Sequence, residues 1–250
     1  MSQPITQKGI PELPNVVTLL EKLFRGTPLA EYLKTWENLI FSLIIVCLIS
    51  ILAYLASRRI GAIPSRLQNA FEIFVGGIDD FVCGIIGHGG RRYTSFIGTL
   101  FLYILFMNLS GLIPFMKAST TSWSTTLALA ICVFIYVQYA AVRERGLLGY
   151  IDHLLGRPRG IIAFSVFIPL MMLIMHVISE LVRPISLSLR LRSNIWGDDM
   201  LIAVLAGFGI KGIPLLLFNF FLIILASTVQ AVVFCLLTTI YFTLALTREN

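Results

Sequence analysis

Charge is what this sequence has least of. Lys, Arg, Asp and Glu make up 13% of its 250 residues, against 57% hydrophobic residues, and the mean hydropathy is +0.89. A soluble globular domain is excluded, because a water-facing surface needs about a quarter of its residues charged. There is no even run of roughly ten-residue alternating segments, which excludes a barrel and leaves helices as the backbone solution in lipid. Cys47, Cys83, Cys132 and Cys235 stand singly in apolar stretches, without metal-ligand spacing, so neither a metal site nor a redox compartment is indicated. No apolar run occurs before Lys34, so no cleaved signal peptide is expected. No cofactor is expected, and no nucleophile motif supports an intramembrane enzyme built on His176 with Glu180 or Asp199. Internal repeats, which would favour a stand-alone secondary transporter of an anionic substrate, are also missing. The net charge of +6 lies mainly in loops and reads as an orientation signal, not a nucleic-acid footprint.

What is present divides into an extramembrane N-terminal tail, 1–37, broken by Pro4, Pro11, Pro14 and Pro28, and one membrane-embedded helical domain, 38–250. The expected class is an all-α polytopic membrane protein. Uncharged runs give spans at about 39–57, 93–115 and 123–142, each near the ~20 residues a crossing needs. Between the first two, about 66–86, apolar residues alternate with Gln68, Glu72, Asp79 and Asp80, the pattern of an interfacial helix. The last third forms a hairpin of two over-long segments, about 161–209 and 214–246. At ~1.5 Å per residue the first would be about 74 Å long if continuous, so it must either break at Pro169 or Pro184 or lie strongly tilted. Arg58, Arg59, Arg66, Arg91 and Arg92 follow the first span, and Arg143, Arg145, Arg157 and Arg159 follow the third, while Lys117 is alone after the second. The positive-inside rule therefore places the N-terminus outside and both arginine-rich loops, with the C-terminus, in the cytoplasm.

Arg183, Arg190, Arg192, Asp198 and Asp199 all lie in this apolar last third, where each charge costs about 2.5–3.5 kcal/mol on insertion scales. At 100° per residue, His176, Arg183, Ser186, Arg190, Asn194 and Gly197 share one stripe within about 40° of Arg190. Ser188, Arg192 and Asp199 fall opposite, with Glu180 and Asp198 between. Arg183 has Glu180 three residues before it as a local ion-pair partner. Arg192 has Asp199 or Asp198 further along its helix. Arg190 has Leu187, Ser193, Ser186 and Asn194 at its helical neighbour positions and no carboxylate. Either it snorkels to an interface or its anion comes from another molecule. Guanidinium does not deprotonate in proteins, so Arg190 holds a carboxylate ionised and does not relay protons. Asn219 and Gln230, eleven residues apart on the last helix and about 20° off one face, glue helices or line an ion path.

Three stretches, in order, carry a resemblance. Pro184-Ile-Ser-Leu-Ser-Leu-Arg190-Leu-Arg-Ser-Asn194-Ile-Trp-Gly resembles the Pro-x-Ser-Leu-x-Leu-Arg-Leu-Phe-Gly-Asn signature of subunit a of the F-type ATP synthases. Asn108-Leu-Ser-Gly-Leu-Ile-Pro114 resembles that family's second-span motif, and Thr228-Val-Gln230-Ala-Val-Val-Phe its final helix. The resemblance implies the stator half of a rotary motor, with two offset aqueous half-channels for protons (or Na⁺). Its partners would be a ring of c subunits with a mid-membrane carboxylate opposite Arg190, peripheral-stalk b subunits, the remaining synthase subunits and the bilayer. It implies ion-translocation roles for Arg190, Asn194, Gln230 and Asp199, with the stripe members His176 and Ser186, and Glu180 beside the stripe, as further candidates. Arg192-Ser193 replaces the usual Phe-Gly. Ile223 stands where some bacterial members carry histidine, and His176 where some carry glutamate. A bacterial inner membrane fits better than an organelle membrane.

Overall fold

The computed structural model describes residues 36–57, 66–113, 116, 120, 122–154 and 164–246. Most of the 1–37 tail, the 58–65 and 155–163 loops, and Pro114 lie outside them. Six helices follow in order: α1 Glu37–Ser57, α2 Arg66–Ile86, α3 Arg91–Ser110, α4 Trp123–Leu154, α5 Phe164–Ala206 and α6 Ile213–Leu246. Five segments are long and apolar enough to cross a membrane: Glu37–Ala56, Arg91–Ser110, Trp123–Glu144, Met171–Ala206 and Ile213–Leu246. The architecture is an all-α polytopic protein with shorter helices first and two long ones paired at the end. Interleaved charge leaves α2 outside the set of spans, as its pattern leads one to expect.

One expectation changes. The second span stops at Ser110, not near residue 115. Its last turn tightens, with Gly111 N–H donating to the Asn108 carbonyl at 3.3 Å and Leu112 N–H to that of Leu109 at 3.0 Å, so Leu112 and Ile113 belong to a turn despite their hydropathy. The third span, Trp123–Glu144, closes at Arg143–Arg145. The chain is non-helical at Gly146 (φ 74°, ψ 160°), a left-handed position open to a residue without Cβ, and then winds on to Leu154. Of the two courses open to α5, a break or a strong tilt, the chain takes the unbroken one and runs through both Pro169 and Pro184 for 43 residues. A proline removes one i→i−4 bond and ordinarily kinks a soluble helix, but membrane helices tolerate it where neighbours and local adjustment satisfy the freed carbonyl. At about 65 Å, twice the hydrocarbon thickness, α5 can lie within the bilayer only when steeply inclined.

Helices α2, α3, α4, α5 and α6 share one core, in which Val82, Ile97, Ile104, Val133, Leu191, Phe234 and Phe242 have almost no exposed surface. Lipid is as apolar as leucine, so packing density and polar glue hold such a bundle together. Small residues allow close approach (Ala130, Ala140, Ala231), and Tyr93 stacks on Phe242 with centroids 4.6 Å apart. Around Asp79 a polar knot ties α2 to α3: Thr94 Oγ1 donates to its Oδ1 at 2.7 Å, and Arg91 Nε lies 3.7 Å from its Oδ2. Arg92 pairs with Glu144, joining the start of α3 to the end of the α4 span. Helix α1 stands at the edge, bound to α3 through Ser42 and the Tyr103 hydroxyl at 2.5 Å.

The α5–α6 hairpin is closed by a 3-10 turn over Gly209–Gly212. Gly212 sits so close to α5 that a Cβ there would lie 2.5 Å from the Leu205 carbonyl oxygen and 3.1 Å from the Phe208 Cβ. Pro214 falls in the first turn of α6, where the missing N–H has no helical acceptor to lose.

Candidate functional site

The buried seam of α5 is Pro184, Leu187, Ser188, Leu191 and Ile195, apart from Ser188 an apolar edge recurring every three or four residues. Taking that seam as zero, Arg190 points about 120° away from it, Asn194 about 80° away on the same side, and Arg192 about 80° away on the opposite side. The surroundings follow this geometry. Asn194 Nδ2 donates to Gln230 Oε1 of α6 at 2.8 Å. The Arg192 guanidinium lies 4.9 Å from the centroid of the Trp123 ring at the start of α4. Arg190, between the two outward directions, is exposed among Ile185, Leu189 and Trp196, which are exposed as well.

Each cation therefore has a distinct setting. Arg183, for which Glu180 is the expected local partner, sets its guanidinium over the ring of Tyr241 on α6, 5.2 Å from the centroid. Glu180 Oε2 instead accepts from Gln138 Nε2 of α4 at 2.8 Å. Arg192 likewise takes an aromatic face, that of Trp123. A ring's negative quadrupole attracts guanidinium by about 0.5–2 kcal/mol and requires no second buried charge, which suits lipid better than a desolvated ion pair. The ion pairs among the described residues, Arg91–Asp79 and Arg92–Glu144, both lie away from α5. Arg190 has neither a ring nor a carboxylate among them.

Of the other expected site residues, His176 Nδ1 lies 3.1 Å from the Met172 carbonyl. Ser186 and Asp198 are half-buried, and Asp199 is exposed. Asn108 is buried, and its Oδ1 accepts from Thr120 Oγ1 at 3.4 Å, so the second-span motif anchors the turn between α3 and α4. The structure thus brings together Asn194 with Gln230, Glu180 with Gln138, and Arg183 with Tyr241. Asp199 and His176 lie on α5 at opposite ends of this set, nine residues after and fourteen before Arg190. Sequence reasoning missed Gln138, whose signal was available: it is the one amide in an otherwise apolar run from Leu127 to Val142. Among the described residues no cluster of three His, Cys, Asp or Glu could hold a metal ion.

Comparison with known proteins bears on the family. The family model described as ATP synthase A chain matches residues 39–243. An ATP synthase subunit a from Protochlamydia amoebophila is 41% identical over 257 residues, covering 99% of this chain and 94% of that protein. One from Solidesulfovibrio magneticus is 39% identical, covering 92% and 94%, and one from Moorella thermoacetica 38%, covering 88% and 93%. The match takes in α1 through all but the last turn of α6, including the Arg190 stretch and Gln230, and the chain belongs to the ATP synthase A chain family.

Proposed function

We propose that Arg190 is the fixed charge against which a moving carboxylate of the c-ring is discharged and reloaded. Family membership makes the chain the stator component of a rotary F-type ATP synthase, coupling proton flow through two half-channels to ring rotation. It is ion-translocating and not itself catalytic, and it assembles in a bacterial inner membrane with the c-ring, b subunits and other synthase components. A stand-alone transporter finds no support in that membership.

One observation carries the assignment. Of the three arginines on α5, two rest on aromatic rings of this chain, while Arg190 faces outward with neither a ring nor a carboxylate among the described residues. Opposite unit charges 4 Å apart attract by about 4 kcal/mol at an effective dielectric of 20. That attraction holds an arriving carboxyl ionised, so its proton must leave before it passes. A cation that never titrates also blocks protons from crossing directly between the two half-channels.

The order of groups along α5 gives the path its two sides. With the N-terminus outside and the C-terminus cytoplasmic, α5 runs outward, so His176, Glu180 and Ser186 precede Arg190 on the cytoplasmic side. Asn194, paired with Gln230, and Asp199 follow on the outer side. Asp199 receives protons from outside, the Asn194–Gln230 amides orient the transfer near the ring, and Glu180 with His176 accepts protons on the inner side. Arg183 and Arg192, held on Tyr241 and Trp123, do not compete for the ring carboxylate.

Arg190→Ala in the intact complex tests the assignment. The expected result is loss of ATP-driven proton pumping with the complex still assembled. Normal, coupled pumping by the variant would remove Arg190 from the mechanism.

A further inference from the structure

Among the contacts that bind α5 to its neighbours, one joins a carboxylate to an amide. Glu180 Oε2 accepts from Gln138 Nε2 of α4 at 2.8 Å, and both residues are half-buried inside spans, Met171–Ala206 and Trp123–Glu144. Glu180 leaves α5 about 40° from its buried seam and about 80° from Arg190, roughly 15 Å earlier along the axis. It therefore faces α4 and the bundle interior, not the side on which Arg190 is exposed. Arg183, the nearest cation in sequence, is committed to the Tyr241 ring, and with Tyr241 and Gln138 it lines one narrow crevice among α4, α5 and α6. The inner path uses Glu180 and His176 and leaves Gln138 without a part.

We propose that Gln138 is a positioning residue for proton transfer, holding the Glu180 carboxyl group in one orientation in both of its protonation states. This rests on the inner-side role given to Glu180. A tie between helices does not by itself call for an acid: an acid within a span costs more than an interhelical hydrogen bond returns, and two amides would make the same tie. A proton carrier needs an acid, and a partner that keeps its hold when the proton arrives. An amide meets that need, because its NH₂ donates to the carboxylate and its carbonyl, after a flip, accepts from the carboxylic acid. A lysine or arginine partner could only donate. Without Gln138 the long glutamate side chain spreads over several rotamers, and fewer encounters with a proton from the cytoplasmic side are productive. Capture is first order in protons, so the shortfall slows pumping most where protons are scarce.

The test uses inverted membrane vesicles holding the intact complex, whose cytoplasmic face meets the medium, and reads ATP-driven proton pumping per assembled complex against medium pH. Gln138→Leu should pump severalfold more slowly than wild type in alkaline medium and approach it in acid. Gln138→His, whose Nε2 reaches about as far and whose ring also donates or accepts, should recover most of the rate. Glu180→Asp, which withdraws the carboxylate from Gln138 by one methylene, should repeat the alkaline loss and serves if Gln138→Leu fails to assemble. The other titratable or charged groups around the pair are His176 and Arg183 on α5, Tyr241 on α6, and Arg143 and Glu144 further along α4. They are common to every complex compared, so they drop out of the ratio to wild type. A merely structural tie lowers that ratio equally at every pH; this result, or a Gln138→His variant as slow as Gln138→Leu, overturns the proposal. Glu180→Gln separates the two readings. Normal pumping by it removes Glu180 from the path, whereas slow pumping by it beside a normal Gln138→Leu leaves Glu180 in place and removes only Gln138.

Discussion

Gly212→Ala should uncouple the hairpin from its register. The added Cβ would meet the Leu205 carbonyl oxygen at 2.5 Å, whereas ordinary contact begins near 3.4 Å. The obstacle is backbone, with no flexible side chain to swing away, so the start of α6 must withdraw from the end of α5 by about 0.9 Å. Because α6 is a continuous helix, that displacement is carried along it. Moving Gln230 by the same amount along the Asn194 direction would stretch their 2.8 Å hydrogen bond to roughly 3.7 Å, where it no longer counts as one. Overpacking of this kind costs about 1–3 kcal/mol. In inverted membrane vesicles the variant should assemble at reduced level and pump protons more slowly per assembled complex than wild type. Gly207→Ala serves as comparison, since its nearest backbone contact, the Val204 carbonyl oxygen, is at 3.1 Å and needs only a few tenths of an ångström. If Gly212→Ala assembles and pumps like wild type, the strain is absorbed within the turn and the register argument is wrong.

The Arg192–Trp123 contact should show as coupling in a double-mutant cycle of Arg192→Gln and Trp123→Leu, read from thermal survival of the detergent-solubilised complex. About 1 kcal/mol is expected for a guanidinium on a partly exposed indole; additive effects would show that the two do not interact. At the α2–α3 knot, Thr94→Val removes the 2.7 Å bond to Asp79 and should destabilise the solubilised protein by about 1–2 kcal/mol. Arg92→Ala, which breaks the exposed pair with Glu144, should cost under ~1 kcal/mol. A larger effect for the second than the first would reverse the ranking of buried against exposed contacts.

Hydropathy and periodicity made the helices legible, because both follow from the chain's own spacing. Asp79 and Asp80 kept α2 apart from the spans, and the absence of a carboxylate one turn from Arg190 singled it out. What stayed hidden depended on neighbours distant in sequence. Arg183 looks like a partner for Glu180 three residues away, yet the ring it covers belongs to residue 241, and Arg192 finds residue 123. A helical wheel gives the direction a side chain leaves its own axis but not which helix stands there. The end of α3 was obscured for another reason: Leu112 and Ile113 are as apolar as the span before them, while the turn is set by the Gly111 amide and the Thr120–Asn108 bond. Pro184 left a break and a tilt both open, because the neighbours that satisfy the freed carbonyl belong to other helices.

The unbroken course of α5 also has a mechanical meaning. A motor's stationary part must take the reaction torque, and in the role proposed for Arg190 the push of each passing carboxylate would fall sideways on it, near the middle of a 43-residue rod. A hinge at Pro184, only six residues away, would let that push be spent in bending. As a continuous beam, clipped to α6 at Arg183 and Asn194 and to α4 at Glu180 and Arg192, α5 is braced on both sides of the loaded point. The bracing contacts thus determine how much of each sideways impulse returns to the rotor and how much is lost as flexing of its housing.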